Sequence, residues 1–293
     1  SDAATLSSDA MEQLPPIVLE HVYSGVIAQA EHIEALNLLV GIGEEELVAS
    51  WDLRGTNDER KKKFLEQINA LEETYPGGLS AYKNNVRDLL AASSRGDNPL
   101  DGYKPEVPEG VDLMDMNDQY SHAAQYGLEN ANRLAFVMVA GGVGDRLGYQ
   151  GIKVGIPLEI ATGQTYLEYY IKNILAMQKQ SNQLTGEDRI APFVIMTSDQ
   201  THDQTVALLE ANDSFGMDGF VVNPTKDEVQ RGTRQIIILK QGMVPAVNSN
   251  DVEFVLDESD PYKLQVKPHG HGDIHTLIYQ AGLAQVWREA GIN

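Results

Sequence analysis

An open α/β fold, a mostly parallel mixed sheet flanked by helices and preceded by a small helical region, is what this sequence of 293 residues predicts. Three observations predict it. Residues 12–95 carry apolar positions at helical steps with few strand signals, whereas after Tyr120 short apolar runs alternate with amphipathic segments. The first of those runs, Leu134 to Ala140, passes straight into a loop containing three glycines. Strand, helix, strand in succession implies parallel strands, and ligands are expected at the carboxyl ends of such strands.

The amino-terminal elements follow from spacing. Ile17, Val18, Val22, Val26, Ile27, Ala30, Ile33 and Leu36 recur at three- and four-residue steps and predict one helix that ends at Gly41-Ile-Gly43. Gly55-Thr-Asn57 punctuates a second helix, and Pro76-Gly77-Gly78 precedes a third that carries Tyr82, Val86, Leu89 and Leu90. Between Gly96 and Asp118 the chain is rich in Pro, Gly, Asp and Glu and reads as an extended connection. The expected division is 1–110 for the helical region plus linker and 111–293 for the α/β domain. Beyond Leu134–Ala140, buried strands are expected at Phe193–Met196, Phe220–Val222, Ile236–Leu239 and Phe254–Leu256. Thr165 with Glu168, and Thr201 with Gln204, are capping-box patterns that start helices. Asp273 is the expected N-cap of a helix running to Gly291.

Composition removes several function classes. Lys and Arg number 22 against 43 Asp and Glu, a formal charge of −21, so a general basic surface for nucleic acid is absent. With no cysteine, disulfides, thiolate metal sites and a cysteine nucleophile are excluded, which suits a reducing compartment such as the cytoplasm. No apolar run approaches the roughly 18 residues that a membrane span needs, and the acidic start has no signal-peptide core. The absent initiator Met and the close at Asn293 predict a processed or truncated product.

The loop Ala140-Gly-Gly-Val-Gly-Asp-Arg-Leu-Gly148, followed by Gly151-Ile-Lys153, carries most of the functional signal. Gly141, Gly142 and Gly144 expose backbone amides without side chains in the way, as a phosphate cradle requires, and Arg146 and Lys153 stand beside them. The alternative is a glycine turn that only reverses the chain. A Walker A assignment fails because Lys153 is followed by Val154, and the dinucleotide fingerprint fails because its third glycine position is Leu147.

The loop resembles the Gly-Gly-x-Gly signature of the Rossmann-like nucleotidyltransferases that make nucleotide sugars, and four segments in order are similar to the UDP-sugar pyrophosphorylases. After the loop come Phe193-Val-Ile-Met-Thr-Ser198 with Thr201-His-Asp-Gln-Thr205, then Lys240-Gln241-Gly-Met-Val-Pro245, then Lys267-Pro-His-Gly-His-Gly-Asp273. The family's lysine usually follows a proline, whereas here Ile152 precedes Lys153, as in its broad-specificity branch. The resemblance implies that Met196 contacts uracil, the other reading being a core methionine. It implies that Gln241 bonds the uracil edge, the other reading being a surface glutamine, that Gly270 lets the backbone approach the base, and that His271 lies near phosphate or ribose. The alternating His269, His271, Asp273 and His275 would share one face of a strand and could imitate a metal site, although Gly270 and Gly272 favour a turn.

The implied reaction joins UTP and a sugar 1-phosphate to give a UDP-sugar and pyrophosphate, reversibly, with Mg2+ assisting and Arg146 and Lys153 as catalytic cations. No protein metal ligand is assigned. In the family, the sugar-binding segments and the metal-holding aspartate follow the Gly-His-Gly-Asp segment, so an amino-terminal fragment is expected, with the rest of the same protein as a partner. UDP-N-acetylhexosamine pyrophosphorylase is the nearest alternative. A non-catalytic uridine-nucleotide-binding module and a purely structural interaction protein are the others.

Overall fold

The computed structural model describes residues 5–112, 114 and 116–292. The amino-terminal helices are α1 (Ser8–Gln13), α2 (Pro16–Tyr23), α3 (Ala30–Gly41), α4 (Asp58–Thr74) and α5 (Gly78–Arg95). The single helix expected up to Gly41 is therefore two, because Ser24 closes α2 and Gly25 turns left-handed at φ +78°. The second expected helix is a single 3-10 turn, Glu45–Val48.

Next come α6 (Asp118–Asn130), β1 (Phe136–Val139), α7 (Tyr166–Thr185), β2 (Phe193–Thr197), α8 (His202–Ala211), β3 (Phe220–Val222), α9 (Lys226–Arg231) and β4 (Ile236–Lys240). They are followed by β5 (Met243–Pro245), β6 (Leu256–Asp257), β7 (Asp260–Leu264), β8 (Val266–Pro268), α10 (Asp273–Gln280) and α11 (Leu283–Glu289). The first four strands form one parallel sheet in the order β1-β2-β4-β3.

Both faces of the central strands β2 and β4 are covered, which explains why these read as unbroken apolar runs, whereas edge strand β1 leaves Val137 and Val139 exposed. Phe193, Ile195, Ile236 and Ile238 pack with Leu167, Ile171 and Ile174 of α7 on one face. Val194, Met196, Ile237 and Leu239 pack with Val229 of α9, Ile274 of α10 and Leu283 of α11 on the other. Thr165 caps α7 as expected, its side chain accepting from the Glu168 amide. Thr201 stands at the start of α8 but caps nothing; its hydroxyl accepts from the Ser198 amide instead. The expected helix from Asp273 to Gly291 breaks at Gly282, φ +75°, into α10 and α11.

The chain forms two compact units, one of Ser1–Lys104 with Gly242–Pro268, the other of Pro105–Gln241 with His269–Asn293. Residues 242–268 thus leave the α/β unit in which the sequence division at 110 and 111 had kept them. The expected strand at Phe254–Leu256 does not join the parallel sheet: β6 pairs antiparallel with β7, and β5 with β8. Phe254, Tyr262 and Leu264 are buried with Leu36, Phe64, Leu65 and Ile68 of the helices. A buried ion pair anchors this return, with Lys83 Nζ 2.5 Å from Glu44 Oε1 while the Glu44 carboxylate accepts from the Phe254 amide at 3.1 Å. Burial pushes the Glu44 carboxyl above its ordinary value, against the pull of Lys83. Lys61, also buried, ties α4 to the preceding loop through the carbonyls of Asp52 and Thr56 and to α2 through His21 Nε2.

Candidate active site at the carboxyl edge of the parallel sheet

Register puts the site together. Val139 pairs with Met196 and Met196 with Leu239, so β1, β2 and β4 end side by side. The ladder continues one step past the strands, with Ala140 N–H donating to Met196 O at 2.7 Å and Gln241 N–H to Thr197 O at 2.8 Å. Gly141, Ser198 and Gln241 are thereby neighbours, although 100 residues of sequence separate the first from the last.

The glycine loop then folds back on itself. Val143 and Ile152 form an antiparallel bridge, in which Gly144 N–H donates to Gly151 O at 2.7 Å and Lys153 N–H to Gly142 O at 3.4 Å. Tyr149 wedges this small hairpin: a Cβ on Gly144 would lie 3.0 Å from its ring and one on Gly151 2.9 Å, and its hydroxyl donates to Gly155 O. The hairpin register carries Lys153 back over the loop, where a Cβ on Gly142 would lie 3.2 Å from Lys153 Nζ.

Two of the three expected amides survive this arrangement. The Gly144 amide is spent on Gly151, which corrects its assignment as a phosphate donor, because closing the hairpin requires that hydrogen bond. The amides of Gly141, Gly142 and Val143 donate to no group among the described residues. Arg146, on the 3-10 turn Asp145–Leu147, and Lys153 are exposed and ion-paired with no carboxylate among the described residues. Lys240, by contrast, is held 2.6 Å from Asp199.

Gln241 is buried, not a surface glutamine. Its Nε2 occupies the space beside Gly141, where a Cβ would stand 2.7 Å from it, so any side chain there would push the glutamine amide aside. Its Oε1 is buried without a hydrogen-bond partner among the described residues, a cost of about 1–3 kcal/mol that a ligand donor would relieve. Met196 is fully buried in the apolar cluster beneath the strand ends, so the core reading describes its side chain.

Gly270 adopts φ +103° in the turn before α10, with open space where a Cβ would be, and His271 is exposed. Neither is hydrogen-bonded to the glycine loop among the described residues. Asp273 is the first residue of α10 and not its N-cap, which is Gly272; its carboxylate lies 3.0 Å from His269 Nδ1. This turn dissolves the strand-like alternation of His269, His271, Asp273 and His275. Among the described residues, no group of three or more His, Cys, Asp or Glu is arranged to hold a metal ion.

Ser198, Thr201 and Tyr149 were missed as site residues by sequence reasoning. Ser198 and Thr201 lie in the second of the four family-like segments and Tyr149 within the glycine hairpin, but only the folded chain brings their side chains to the loop.

The sequence matches the family described as UTP--glucose-1-phosphate uridylyltransferase over residues 82–293, most of the chain. The chain belongs to this family. UDP-sugar pyrophosphorylase of Arabidopsis thaliana is 41% identical over 292 residues, covering 99% of this chain and 45% of the relative. UDP-sugar pyrophosphorylase of Oryza sativa subsp. indica is 43% identical over 261 residues, covering 88% of this chain and 40% of the relative. The UDP-N-acetylhexosamine pyrophosphorylase-like protein 1 of Xenopus tropicalis is more distant, 24% identical over 246 residues, covering 80% of this chain and 43% of the relative. The chain thus spans less than half the length of these members of the family and its kin. Uridine diphosphate N-acetylglucosamine pyrophosphorylase from Trypanosoma brucei, solved in complex with inhibitor, shares the fold with a TM-score of 0.65 at 18% identity, covering 89% of this chain and 50% of that one.

Proposed function

We propose that this chain is the nucleotide-binding part of a uridylyltransferase that makes UDP-sugar and pyrophosphate from UTP and a sugar 1-phosphate, reversibly and over a broad range of sugars. One observation carries the reading. At the carboxyl edge of a single parallel sheet, the unengaged amides of Gly141–Val143 and the Lys153 ammonium meet a buried glutamine amide with an acceptor to spare.

In the reaction, an oxygen of the sugar 1-phosphate forms a bond to the α-phosphorus of UTP while the bond from that phosphorus to the bridging oxygen breaks and pyrophosphate leaves. The attacking oxygen is already ionised, so no general base is needed. Catalysis then rests on in-line positioning and on neutralising charge at the transferring group. Lys153 and Arg146 supply that charge in a chain whose net charge of −21 would otherwise repel a triphosphate. Gln241 reads the uracil edge, donating with Nε2 and accepting with Oε1. Gly270 gives the base room and His271 meets the ribose or phosphates, while Met196 contributes only packing beneath the strand ends. Mg2+ is proposed to accompany the triphosphate, with no protein ligand assigned. The cytoplasm remains the proposed compartment, which the cysteine-free composition suits. The UDP-N-acetylhexosamine alternative is the weaker, since such a relative stands at 24% identity against 41% and 43% for the UDP-sugar enzymes.

Thermal unfolding with each nucleotide tests the reading. A ligand present at 100 times its Kd stabilises the folded state by about 2.7 kcal/mol. UTP and UDP-glucose should raise the Tm and ATP should not. Equal shifts with UTP and ATP would overturn the uracil assignment, and no shift with any of them would overturn the nucleotide site.

A further inference from the structure

Ser198, the first residue after β2, is buried and its hydroxyl donates to the carbonyl of Gly141 at 2.8 Å. The hydroxyl has a single hydrogen, so the 3.3 Å contact with Thr201 Oγ1 must have Thr201 as donor. Thr201 is itself fixed, because its Oγ1 accepts from the Ser198 amide at 3.0 Å and its side chain is wholly buried. The result is a directed relay from the Thr201 hydroxyl to the Ser198 hydroxyl to the Gly141 carbonyl, each bond polarising the next.

The consequence lies on the other side of the peptide. In a planar trans peptide, the carbonyl of residue i and the N–H of residue i+1 point in opposite directions. Holding the Gly141 carbonyl toward Ser198 therefore turns the Gly142 N–H away from it. That N–H donates to nothing among the described residues, and Lys153 Nζ stands beside the same glycine. Between two glycines, which tolerate either orientation of the plane, no other hydrogen bond among the described residues holds this peptide. Gly141 leaves room for Gln241 Nε2, 2.7 Å from where a Cβ would stand, and the peptide freedom that comes with the missing side chain is removed by the Ser198 hydroxyl on the Gly141 carbonyl.

We infer that Ser198 is a positioning residue: without touching the nucleotide, it orients the Gly141–Gly142 peptide so that the Gly142 amide and Lys153 face one phosphate oxygen. The inference deepens the proposed nucleotide site and rests on it only for the identity of the ligand.

The test titrates the chain with tripolyphosphate, which has no base, and separately with UTP and uridine, following the Gly142 amide resonance and the binding isotherm. Ser198→Ala should weaken tripolyphosphate and UTP about tenfold, the effect of one misdirected hydrogen bond to a charged oxygen. Uridine should bind as before, and Ser198→Thr, which keeps the hydroxyl, should restore tripolyphosphate binding. A merely structural role would lower the Tm or weaken all three ligands alike. Unchanged tripolyphosphate affinity and an unmoved Gly142 resonance in Ser198→Ala would overturn the positioning role. A parent chain that binds tripolyphosphate with the expected Ser198 dependence but does not prefer UTP to ATP would uphold that role and overturn the uridine reading. A parent whose glycine amides respond to no phosphate overturns both.

Discussion

Lys153 and Gln241 carry opposite kinds of information for the same site. Lys153 is an exposed cation with no carboxylate partner among the described residues of an acidic chain, and the hairpin bridge Val143–Ile152 alone brings it over Gly142. Its charge is worth most when the transferring phosphoryl group develops charge, so Lys153→Ala should lower kcat of uridylyl transfer about 100-fold or more and change UTP affinity only a few fold. Steady-state kinetics of the variant check this, and an unchanged kcat would remove Lys153 from the chemistry. Gln241 is buried with an unsatisfied Oε1, so it costs stability before any ligand arrives. Gln241→Leu should leave the Tm of the free chain equal or higher and abolish the extra stabilisation by UTP over ATP. A drop in the free-state Tm with nucleotide preference intact would contradict the assignment.

At the scale of elements, the segment between β4 and α10 is held to the helices by Glu44 and Lys83. Glu44 closes the turn after α3, Lys83 projects from α5, and the carboxylate also takes the Phe254 amide. Burial raises the folded pKa of Glu44 above the unfolded value. In that window the folded state binds more protons than the unfolded one, so the Glu44 contribution is complete below the unfolded value and is lost as pH rises through the folded one. Lys83→Met removes the opposing charge and should widen the effect. We expect a loss of about 3–5 kcal/mol at pH 8, shrinking toward pH 5, measured by urea unfolding. The double variant Glu44→Gln/Lys83→Met should lose the pH dependence. A loss independent of pH would show that packing of the lysine chain, not the ion pair, holds this segment.

At the scale of the molecule, the two compact units are not two consecutive stretches of chain. Phe254, Tyr262 and Leu264 complete the core of the helical unit although they lie between β4 and α10 of the other. A protein cut to residues 105–293 would leave these three side chains without Leu36, Phe64 and Leu65. That cut should bind ANS strongly and aggregate at concentrations where the parent is monodisperse, as light scattering would record. A version that also replaces 242–268 by a short polar linker should be the soluble one. Equal behaviour of the two would mean that the segment does not depend on the helices.

Much of this was legible in the residues. The four strands of the parallel sheet were: burial on both faces forces the continuous apolar runs Phe193–Met196 and Ile236–Leu239 of the central pair, and the edge strands Phe136–Val139 and Phe220–Val222 are apolar although each exposes part of one face. The glycine loop, Lys153 and Gln241 were legible because amides, an ammonium and a carboxamide are the groups that phosphate and uracil require. Helix α6 was not, since it has no buried residue and so no apolar stripe to show. Neither was the fate of Phe254–Leu256, whose apolar character says that it is buried but not against which core. The loss of Gly144 as a donor, the core burial of Met196, and the Thr201–Ser198–Gly141 relay all depend on hydrogen bonds and packing between residues distant in the chain. Local pattern settles which groups are present and which element each belongs to. Only strand register and the closing of the hairpin decide which of them meet, because those are set by pairings over tens of residues that no local spacing encodes.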